Sequence, residues 1–264
     1  MKKKYIFMDL DGTIIDHGHN GVLPSTKYTI NELQKNGHEV VIATGRPPAL
    51  FFEIDKKLGI SSYVAANGAL AVSNNEIILS DTIDKKLIDK LIAFSIENKI
   101  DLGFESSTHF CLFSQNTDLP KKFCEVFHLP DPEVLPNHYK ENDIYQMVLF
   151  YSGDDFKKFE TQFPGLWFNY SNPYGLDVNL ANGLKDAGLR AFHDILGIPI
   201  EDMIAIGDGF NDITMIEYAG IGIAMGNASE VVKMRADVIT DRIENNGLYK
   251  AFLQLGLIKK ADFN

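Results

Sequence analysis

Two carboxylates follow an apolar run near the N-terminus of this 264-residue chain. In the stretch YIFMDLDGTIID, which begins at Tyr5, four mostly apolar residues lead into Asp9 and Asp11 and then into Gly12. Like charges at this spacing repel each other, and burying either one costs on the order of several kcal/mol without compensation. The pattern therefore predicts a site at which something offsets the two charges.

Three other polar clusters also begin where an apolar run stops. They are Thr44, Gly45 and Arg46 in ATGR, Asn67 in AANGA, and Asp208, Asn211 and Asp212 in GDGFND. In an open α/β sheet, ligands bind beyond the carboxyl ends of the strands. All four clusters are therefore expected to converge on one site.

The acids of these clusters indicate a metal site. Asp9, Asp11, Asp208 and Asp212 are expected to lie together, and four carboxylates in one cleft do not all stay ionised without a cation. Mg²⁺ fits this requirement because it prefers oxygen ligands and binds through few carboxylates and a substrate phosphate. Any single Asp has an alternative interpretation as a helix N-cap or turn residue, and this alternative is strongest for Asp212.

Hydrogen-bond donors and cations accompany the acids. The Thr44 hydroxyl and the free N–H groups of the helix that follows are suited to hold a phosphoryl oxygen. Lys185 begins a later predicted helix, and the residues alone favour a solvated surface lysine, with the same alternative for Arg46. The acidic run is not an EF-hand loop, because Gly12 stands at its fourth position where that loop has glycine at the sixth.

The apolar pattern predicts an α/β fold with an insertion. Continuously apolar runs alternate with amphipathic stretches at both ends of the chain, which indicates a doubly wound, mainly parallel, Rossmann-like sheet with helices on both faces. The middle has strands with few helices between them, which is typical of an α+β unit. The prediction is a core of residues 1–81 and 184–264, an inserted cap domain at 82–183, and hinges near Asp81 and Gly183.

Two helices of the core carry specific expectations. The stretch STKYTINELQKNG predicts a helix with Ser25 or Thr26 near its N-cap and Gly37 past its end. The stretch PPALFFEIDKKLG predicts a helix that two prolines open and Gly59 closes.

The composition narrows the class of protein. A formal net charge of -11, from 36 acidic and 25 basic residues, argues against general binding to nucleic acid or a membrane surface, but not against an anionic substrate. The sequence has neither a membrane-helix nor a signal-peptide pattern, so we expect a cytoplasmic protein, as a monomer or small homo-oligomer. Cys111 and Cys124 are expected to be partly buried free thiols.

The motifs resemble those of a known superfamily. DLDGT at 9–13, ATGR at 43–46, Lys185 and GDGFND at 207–212 occur in the order of the four motifs of the haloacid dehalogenase superfamily. The insert resembles the type-IIB cap of that superfamily. NGA at 67–69 and the tail AMGNASEVVKMRADVIT resemble the Cof-type sugar-phosphatase branch.

The resemblance implies a Mg²⁺-dependent phosphatase. Asp9 would attack phosphorus to form an aspartyl-phosphate, and Asp11 would be the general acid and then the general base. The Asp9 side chain, the Asp11 backbone carbonyl and Asp208 would bind the metal. Asp212 would support the metal shell, and Asn211 would help to hold the metal or the phosphate. The remaining implied roles are binding of phosphoryl oxygens by Thr44 and Lys185, substrate or phosphate binding by Gly12 and Gly45, and substrate contacts by Arg46 and Asn67.

One motif departs from the pattern of the superfamily. Leu184 precedes Lys185, and Asp186 stands where a glycine is common. Asp186 is expected to form a local ion pair or to cap the helix.

The substrate is expected to be a small phosphorylated metabolite that the cap selects. Candidate cap residues are Asp177, Asn179, Asn182 and His109, each with an exposed turn or hairpin position as its alternative. Sugar phosphates are favoured, while pyridoxal phosphate and flavin mononucleotide stay open. Two other functions also stay open, a sugar phosphomutase and a non-catalytic phospho-aspartate signalling module. Cap closure would exclude water during the first step, and reopening would release the product.

Overall fold

The structure is a computed structural model of the chain and describes residues 2–19, 21–51, 53–181 and 184–263. The chain divides into two compact units. The first unit comprises Met1–Gly45, Glu53–Leu79 and Leu184–Asn264, and the second comprises Arg46–Phe52 and Ser80–Gly183. The predicted interpretation of 82–183 as a cap stays a prediction.

Strands and helices alternate along the first unit, whereas strands dominate the second. The strands of the described residues are β1 (Tyr5–Met8), β2 (Ile15–Asp16), β3 (Gly21–Val22), β4 (Glu39–Ala43), β5 (Ser62–Ala65), β6 (Leu70–Ser73), β7 (Glu76–Ser80), β8 (Asp101–Glu105), β9 (Phe110–Leu112), β10 (Gln146–Phe150), β11 (Leu166–Asn172), β12 (Gly175–Leu180), β13 (Met203–Gly207), β14 (Ile221–Ala224) and β15 (Val238–Ile239). The α-helices are α1 (Pro24–Lys35), α2 (Ile54–Lys57), α3 (Lys85–Asn98), α4 (Leu119–Val126), α5 (His138–Glu141), α6 (Lys157–Gln162), α7 (Lys185–Leu196), α8 (Ile213–Tyr218), α9 (Glu230–Lys233) and α10 (Gly247–Gln254).

The first unit is built on an eight-stranded sheet in the order β15-β14-β13-β1-β4-β5-β6-β7. From β15 to β5 the paired strands are parallel, and β6 runs antiparallel to β5. In the central strand β1, Ile6 and Met8 pack with α1 and α10, while Phe7 packs against Phe192 of α7 on the other face. Helices therefore cover both faces, and the predicted α/β class with a mainly parallel sheet is confirmed.

The second unit contains a five-stranded antiparallel sheet in the order β11-β12-β10-β8-β9. One face packs on a large apolar cluster with residues from α3, α5 and α6. Part of the other face packs under α4, where Phe123 and Cys124 meet Val148 and Phe150. Cys111 and Cys124 are free thiols, as the sequence predicts, and both are fully and not partly buried.

One of the two detailed helix expectations is confirmed and the other is wrong. The first predicted helix is α1, with Ser25 and Thr26 in its first turn and Gly37 past its end, although the N-cap residue itself is Leu23 because Pro24, which needs no N–H partner, occupies the first helical position. The predicted helix in PPALFFEIDKKLG is a short 3-10 turn at Pro48–Leu50 followed by the four-residue α2, since Glu53 adopts a left-handed conformation with φ 61°.

No helix among the described residues combines the length and apolar character that a membrane crossing requires.

Candidate active site

Three of the predicted acids meet at the carboxyl edge of the parallel sheet. Asp9 follows β1, Asp208 follows β13, and Asp212 precedes α8. One carboxylate oxygen of each lies within 4.8 Å of the others. The neighbouring strands β1 and β13 pair in parallel with Met8 opposite Ile206, and this register brings their ends together.

Lys185 is buried among these acids. It is the first residue of α7, only 1% of its surface is exposed, and its Nζ donates to Asp9 Oδ1 at 2.6 Å and to Asp212 Oδ1 at 2.5 Å. Burial disfavours its charge, but the carboxylates of Asp212 and Asp9 outweigh this and hold the pKa of Lys185 above its usual value. The interpretation of Lys185 as a solvated surface lysine is therefore wrong. The sequence pattern around Lys185 does not reveal its burial, because both partners are distant in the sequence.

The three carboxylates carry more negative charge than Lys185 offsets. Burial and the charge of Asp212 raise the pKa of Asp9 well above its usual value, more than Lys185 lowers it. Burial and Asp212 likewise raise the pKa of Asp208 to about 6. A second positive charge would keep all three ionised. Since every donor atom is a carboxylate oxygen, this set fits a hard divalent cation.

Asp212 organises the loop that contains Asp208. Its Oδ2 accepts hydrogen bonds from the backbone N–H groups of Asp208 at 2.9 Å and Gly209 at 2.8 Å, while its Oδ1 accepts from Lys185. Its side chain makes no N-cap hydrogen bond to α8. Asp212 therefore stands at the N-cap position of α8, but its carboxylate links the lysine to the loop and does not cap that helix.

Two residues that the sequence analysis did not select hold Asp208 in place. Thr13 Oγ1 donates to Asp208 Oδ1 at 3.1 Å, and Asn227 Nδ2 donates to Asp208 Oδ2 at 2.9 Å and to the Gly12 carbonyl at 3.0 Å. Asn227 follows β14 by three residues, so the strand-end rule that selected the other clusters also applies to it.

Asp11 lies apart from this group of three carboxylates. Its side chain is about one-third exposed, and its Oδ1 lies 2.7 Å from Nε2 of His17. The His17 ring thereby helps to orient the Asp11 carboxylate. The expected metal contact of the Asp11 backbone carbonyl stays a prediction.

The second and third strand-end clusters meet each other. Thr44 is buried, and its carbonyl accepts from the Asn67 N–H at 3.2 Å. The Asn67 side chain adjoins Gly45, and its Oδ1 accepts from Asn211 Nδ2 at 3.0 Å. Thr44, Gly45, Asn67 and Asn211 therefore form one hydrogen-bonded edge of the first unit.

Arg46 belongs to the second unit, with residues 46–52. Its Nη1 donates to the Leu50 carbonyl at 3.0 Å. The substrate role of Arg46 stays a prediction.

The predicted ion pair of Asp186 is present, since Arg190 Nε donates to Asp186 Oδ2 at 2.9 Å.

The cap candidates separate into two environments. Asp177 and Asn179 lie within β12 and not in a turn, with Asn179 buried and Asp177 accepting from Ser171 Oγ at 2.7 Å. His109 is exposed and its Nδ1 lies 2.9 Å from Thr108 Oγ1. Asn182 and the predicted hinge residue Gly183 lie outside the described residues.

The chain is similar to known proteins over almost its whole length. The sequence profile of haloacid dehalogenase-like hydrolases matches residues 6–252. The chain is 34% identical over 261 residues to a putative phosphatase, YkrA, of Bacillus subtilis, covering 98% of this chain and 100% of that protein. It is 31% identical over 251 residues to YcsE of Bacillus subtilis, a 5-amino-6-(5-phospho-D-ribitylamino)uracil phosphatase, covering 94% of each.

A solved structure agrees with these sequence relatives. The HAD subclass IIB sugar phosphatase BT4131 superposes with a TM-score of 0.84 at 28% identity, covering 97% of this chain and 100% of that chain.

Proposed function

The chain belongs to the haloacid dehalogenase-like hydrolases and is a phosphatase of that superfamily, and from this premise we propose that it hydrolyses sugar and polyol phosphates with Mg²⁺. The observation that carries the proposal is the buried Lys185 bonded to both Asp9 and Asp212, beside Asp208. This arrangement suits a carboxylate that must approach an anionic phosphate, because cations have to offset the repulsion.

The proposed first step is attack of Asp9 on phosphorus. An Asp9 oxygen forms the new P–O bond, the ester P–O bond breaks, and Asp11 donates a proton to the leaving alkoxide. Lys185 stabilises the negative charge on the nucleophile side, and His17 keeps the Asp11 carboxyl oriented. The products of this step are the free alcohol and an aspartyl-phosphate.

The proposed second step returns Asp9 to its free form. Asp11, now ionised, takes a proton from water, whose oxygen forms a bond to phosphorus as the bond to Asp9 breaks, and inorganic phosphate leaves. Asp9, Asp208 and the Asp11 carbonyl would hold Mg²⁺, with Asp212 supporting the loop. When bound, Mg²⁺ supplies positive charge that orients the phosphate and stabilises the transition state.

Two observations on relatives support the substrate class. YcsE is named for a substrate with a phosphorylated ribityl chain, which is a polyol, and BT4131 is named a sugar phosphatase. Within this proposal the inserted segment 82–183 is the cap that selects the alcohol part. A cytoplasmic location and a monomeric or small homo-oligomeric state stay predictions from the sequence.

The test is a phosphate-release screen over sugar phosphates, polyol phosphates, pyridoxal phosphate and flavin mononucleotide. We expect Mg²⁺-dependent release that EDTA abolishes and added Mg²⁺ restores. Asp9→Asn should lower kcat by roughly 10³-fold or more, because an amide is a poor nucleophile. Asp194→Asn, at an exposed position of the same unit, is the matched control and should keep the wild-type rate.

Three outcomes would contradict the proposal. Near-normal turnover by Asp9→Asn would exclude Asp9 as the nucleophile. A rearranged sugar phosphate without free phosphate would indicate a mutase. Stable phosphorylation of Asp9 from a small phosphodonor without turnover would indicate a signalling module.

A further inference from the structure

The loop after β14 lies against residues 240–247, which are called the C-terminal segment. The Thr240 N–H donates to the Ala224 carbonyl at 3.0 Å, and the Gly226 N–H donates to the Asp241 carbonyl at 3.0 Å. A side chain at Gly226 would overlap the backbone of the C-terminal segment. The two stretches of backbone are therefore in direct contact, within the first unit.

Asn227 extends this contact to the candidate active site. Its Oδ1 accepts from the Ile243 N–H at 3.0 Å, while its Nδ2 donates to Asp208 Oδ2 at 2.9 Å and to the Gly12 carbonyl at 3.0 Å. One half-buried side chain therefore joins the C-terminal segment to the loop after β13 and to the turn after β1.

The three neighbours determine the orientation of the Asn227 amide. The Ile243 N–H can only donate, so it requires the amide oxygen. The Gly12 carbonyl and the ionised Asp208 carboxylate can only accept, so they require the two N–H groups of the amide nitrogen. Turning the amide over would oppose donor to donor and acceptor to acceptor at all three contacts. The side chain is thus held in one orientation.

Both oxygens of the Asp208 carboxylate receive a hydrogen bond. Thr13 Oγ1 donates to Oδ1 and Asn227 Nδ2 donates to Oδ2. A donor at each oxygen restrains rotation of the carboxylate, and each oxygen keeps a further lone pair that a cation can use. Thr13 belongs to the turn after β1, so Asn227 adds a support from outside that turn.

The C-terminal segment is itself well anchored. Ile243 is 6% exposed and packs in the apolar cluster between the sheet, α1 and α10. Ser25 Oγ of α1 donates to Asn246 Oδ1 at 2.6 Å, and Thr240 Oγ1 donates to the Gly247 carbonyl at 2.7 Å. Groups that hydrogen-bond to metal ligands fix the position of those ligands, and their loss typically weakens metal binding by about 10- to 100-fold.

We propose that Asn227 is a positioning residue through which the C-terminal segment sets the place of the Asp208 carboxylate and thereby the affinity for Mg²⁺. This inference rests on the proposed Mg²⁺-dependent function. Asn227 acts through Asp208 and the turn at Gly12, without a contact of its own to the metal or the phosphate. Its loss should therefore weaken Mg²⁺ binding more than it slows turnover at saturating Mg²⁺.

The test measures Mg²⁺ binding to the substrate-free enzyme by titration calorimetry. Asn227→Leu keeps a similar side-chain shape and removes all three hydrogen bonds. We expect the Kd for Mg²⁺ to rise about tenfold or more, and kcat at saturating Mg²⁺ to stay within about threefold of the wild type. A merely structural role would lower the folded fraction, which reduces the number of binding sites and leaves the Kd unchanged. Asn227→Ser, whose side chain is shorter, carries the same comparison if the leucine variant does not fold.

Gly226→Ala tests the C-terminal segment without altering Asn227. The added β-carbon would lie 2.5 Å from the backbone nitrogen of Arg242, so it should displace the segment and with it the Ile243 N–H. The Kd for Mg²⁺ should rise in this variant as well. The matched control is Asn245→Leu, which makes the same chemical change at an exposed position of the segment and should keep the wild-type Kd.

Four outcomes separate this inference from the proposed function. An unchanged Kd for Mg²⁺ in both Asn227 variants would overturn the inference, as would an equal rise of the Kd in Asn245→Leu. An unchanged Kd in Gly226→Ala would overturn the part assigned to the C-terminal segment. Failure of the wild type to bind Mg²⁺ or to release phosphate from any ester would instead contradict the proposed function.

Hydrogen exchange gives a readout that depends on neither turnover nor calorimetry. Coupling between two sites is reciprocal, so bound Mg²⁺ should in turn hold the C-terminal segment more firmly. In the wild type, Mg²⁺ should slow the exchange of the Ile243 amide, and Asn227→Leu should remove this effect. Equal slowing of the Ile243 amide by Mg²⁺ in the wild type and the variant would overturn the inference.

Discussion

At the scale of single residues, one ammonium group connects the carboxylates of the candidate active site. Lys185 Nζ bonds to the strand-end carboxylate of Asp9 and to Asp212, whose second oxygen fixes the backbone of Asp208. The lysine therefore neutralises negative charge and also holds the segment after β1 and the loop after β13 in fixed positions. Removing a partner from a buried ion pair leaves an uncompensated charge, which is far more costly than losing a surface pair.

We predict that Lys185→Met nearly abolishes turnover and destabilises the fold. The expected loss is about 10²-fold or more in kcat, and about 3–5 kcal/mol of unfolding free energy, because Asp9 and Asp212 lose their buried cation. Kinetics and thermal unfolding measure the two effects. Lys250→Met is the control, since its ion pair with Asp241 is half exposed. A kcat within tenfold of wild type would contradict the role given to Lys185.

At the scale of elements, the turn after β1 has to fit tightly against the loop after β13. Gly12 adopts φ +85°, and a side chain there would overlap the carboxylate of Asp208. Asn227, bonded to both the Gly12 carbonyl and Asp208, adds a third segment to this junction. The position of Asp208 thus depends on the absence of one β-carbon.

We predict that Gly12→Ala weakens Mg²⁺ activation, because the added methyl group displaces Asp208. The Mg²⁺ concentration for half-maximal activity should rise about tenfold or more, because the metal loses or weakens its contact with one charged ligand. Gly37→Ala separates this effect from backbone strain, since Gly37 has the same φ of +85° and open space at its β-carbon. Both variants should lose about 1–2 kcal/mol of stability from the left-handed backbone. Equal Mg²⁺ activation in the two variants would refute the displacement.

The sequence predicts the strands that position the candidate active site better than it predicts the contacts between their side chains. Strand ends are local signals, so Asp9, Thr44 and Asp208 were found from apolar runs alone. Contacts between distant segments leave no local signal, so the residues around Lys185 indicate a surface lysine although the side chain is buried. A local signal also marks the turn between β6 and β7, where Asn74 and Asn75 both adopt the left-handed conformation that is typical of a tight hairpin turn.

At the scale of the whole molecule, each unit contains its own set of buried or half-buried acids, and the charge of each set is offset differently. In the first unit Lys185 offsets part of the charge of Asp9 and Asp212. In the second unit Glu105 and Asp177 have no such cation among the described residues. A chain with a net charge of -11 gains little from ionising buried carboxyl groups without partners. The second unit should therefore set part of the pH dependence of stability.

We predict that Asp177→Asn becomes more stable relative to the wild type as the pH rises from 5 to 8. The pKa of Asp177 is raised to about 7, so between its unfolded pKa of about 3.9 and that value the folded state binds more protons. Stability then falls as the pH rises through this window. With a discount for partial exposure, the relative gain is about 1–2 kcal/mol, or a few °C in Tm. The difference in Tm at each pH measures it, and Asp154→Asn, an exposed substitution in the same unit, should follow the wild type throughout. Parallel curves for Asp177→Asn and the wild type would mean that Asp177 is already ionised in the folded protein.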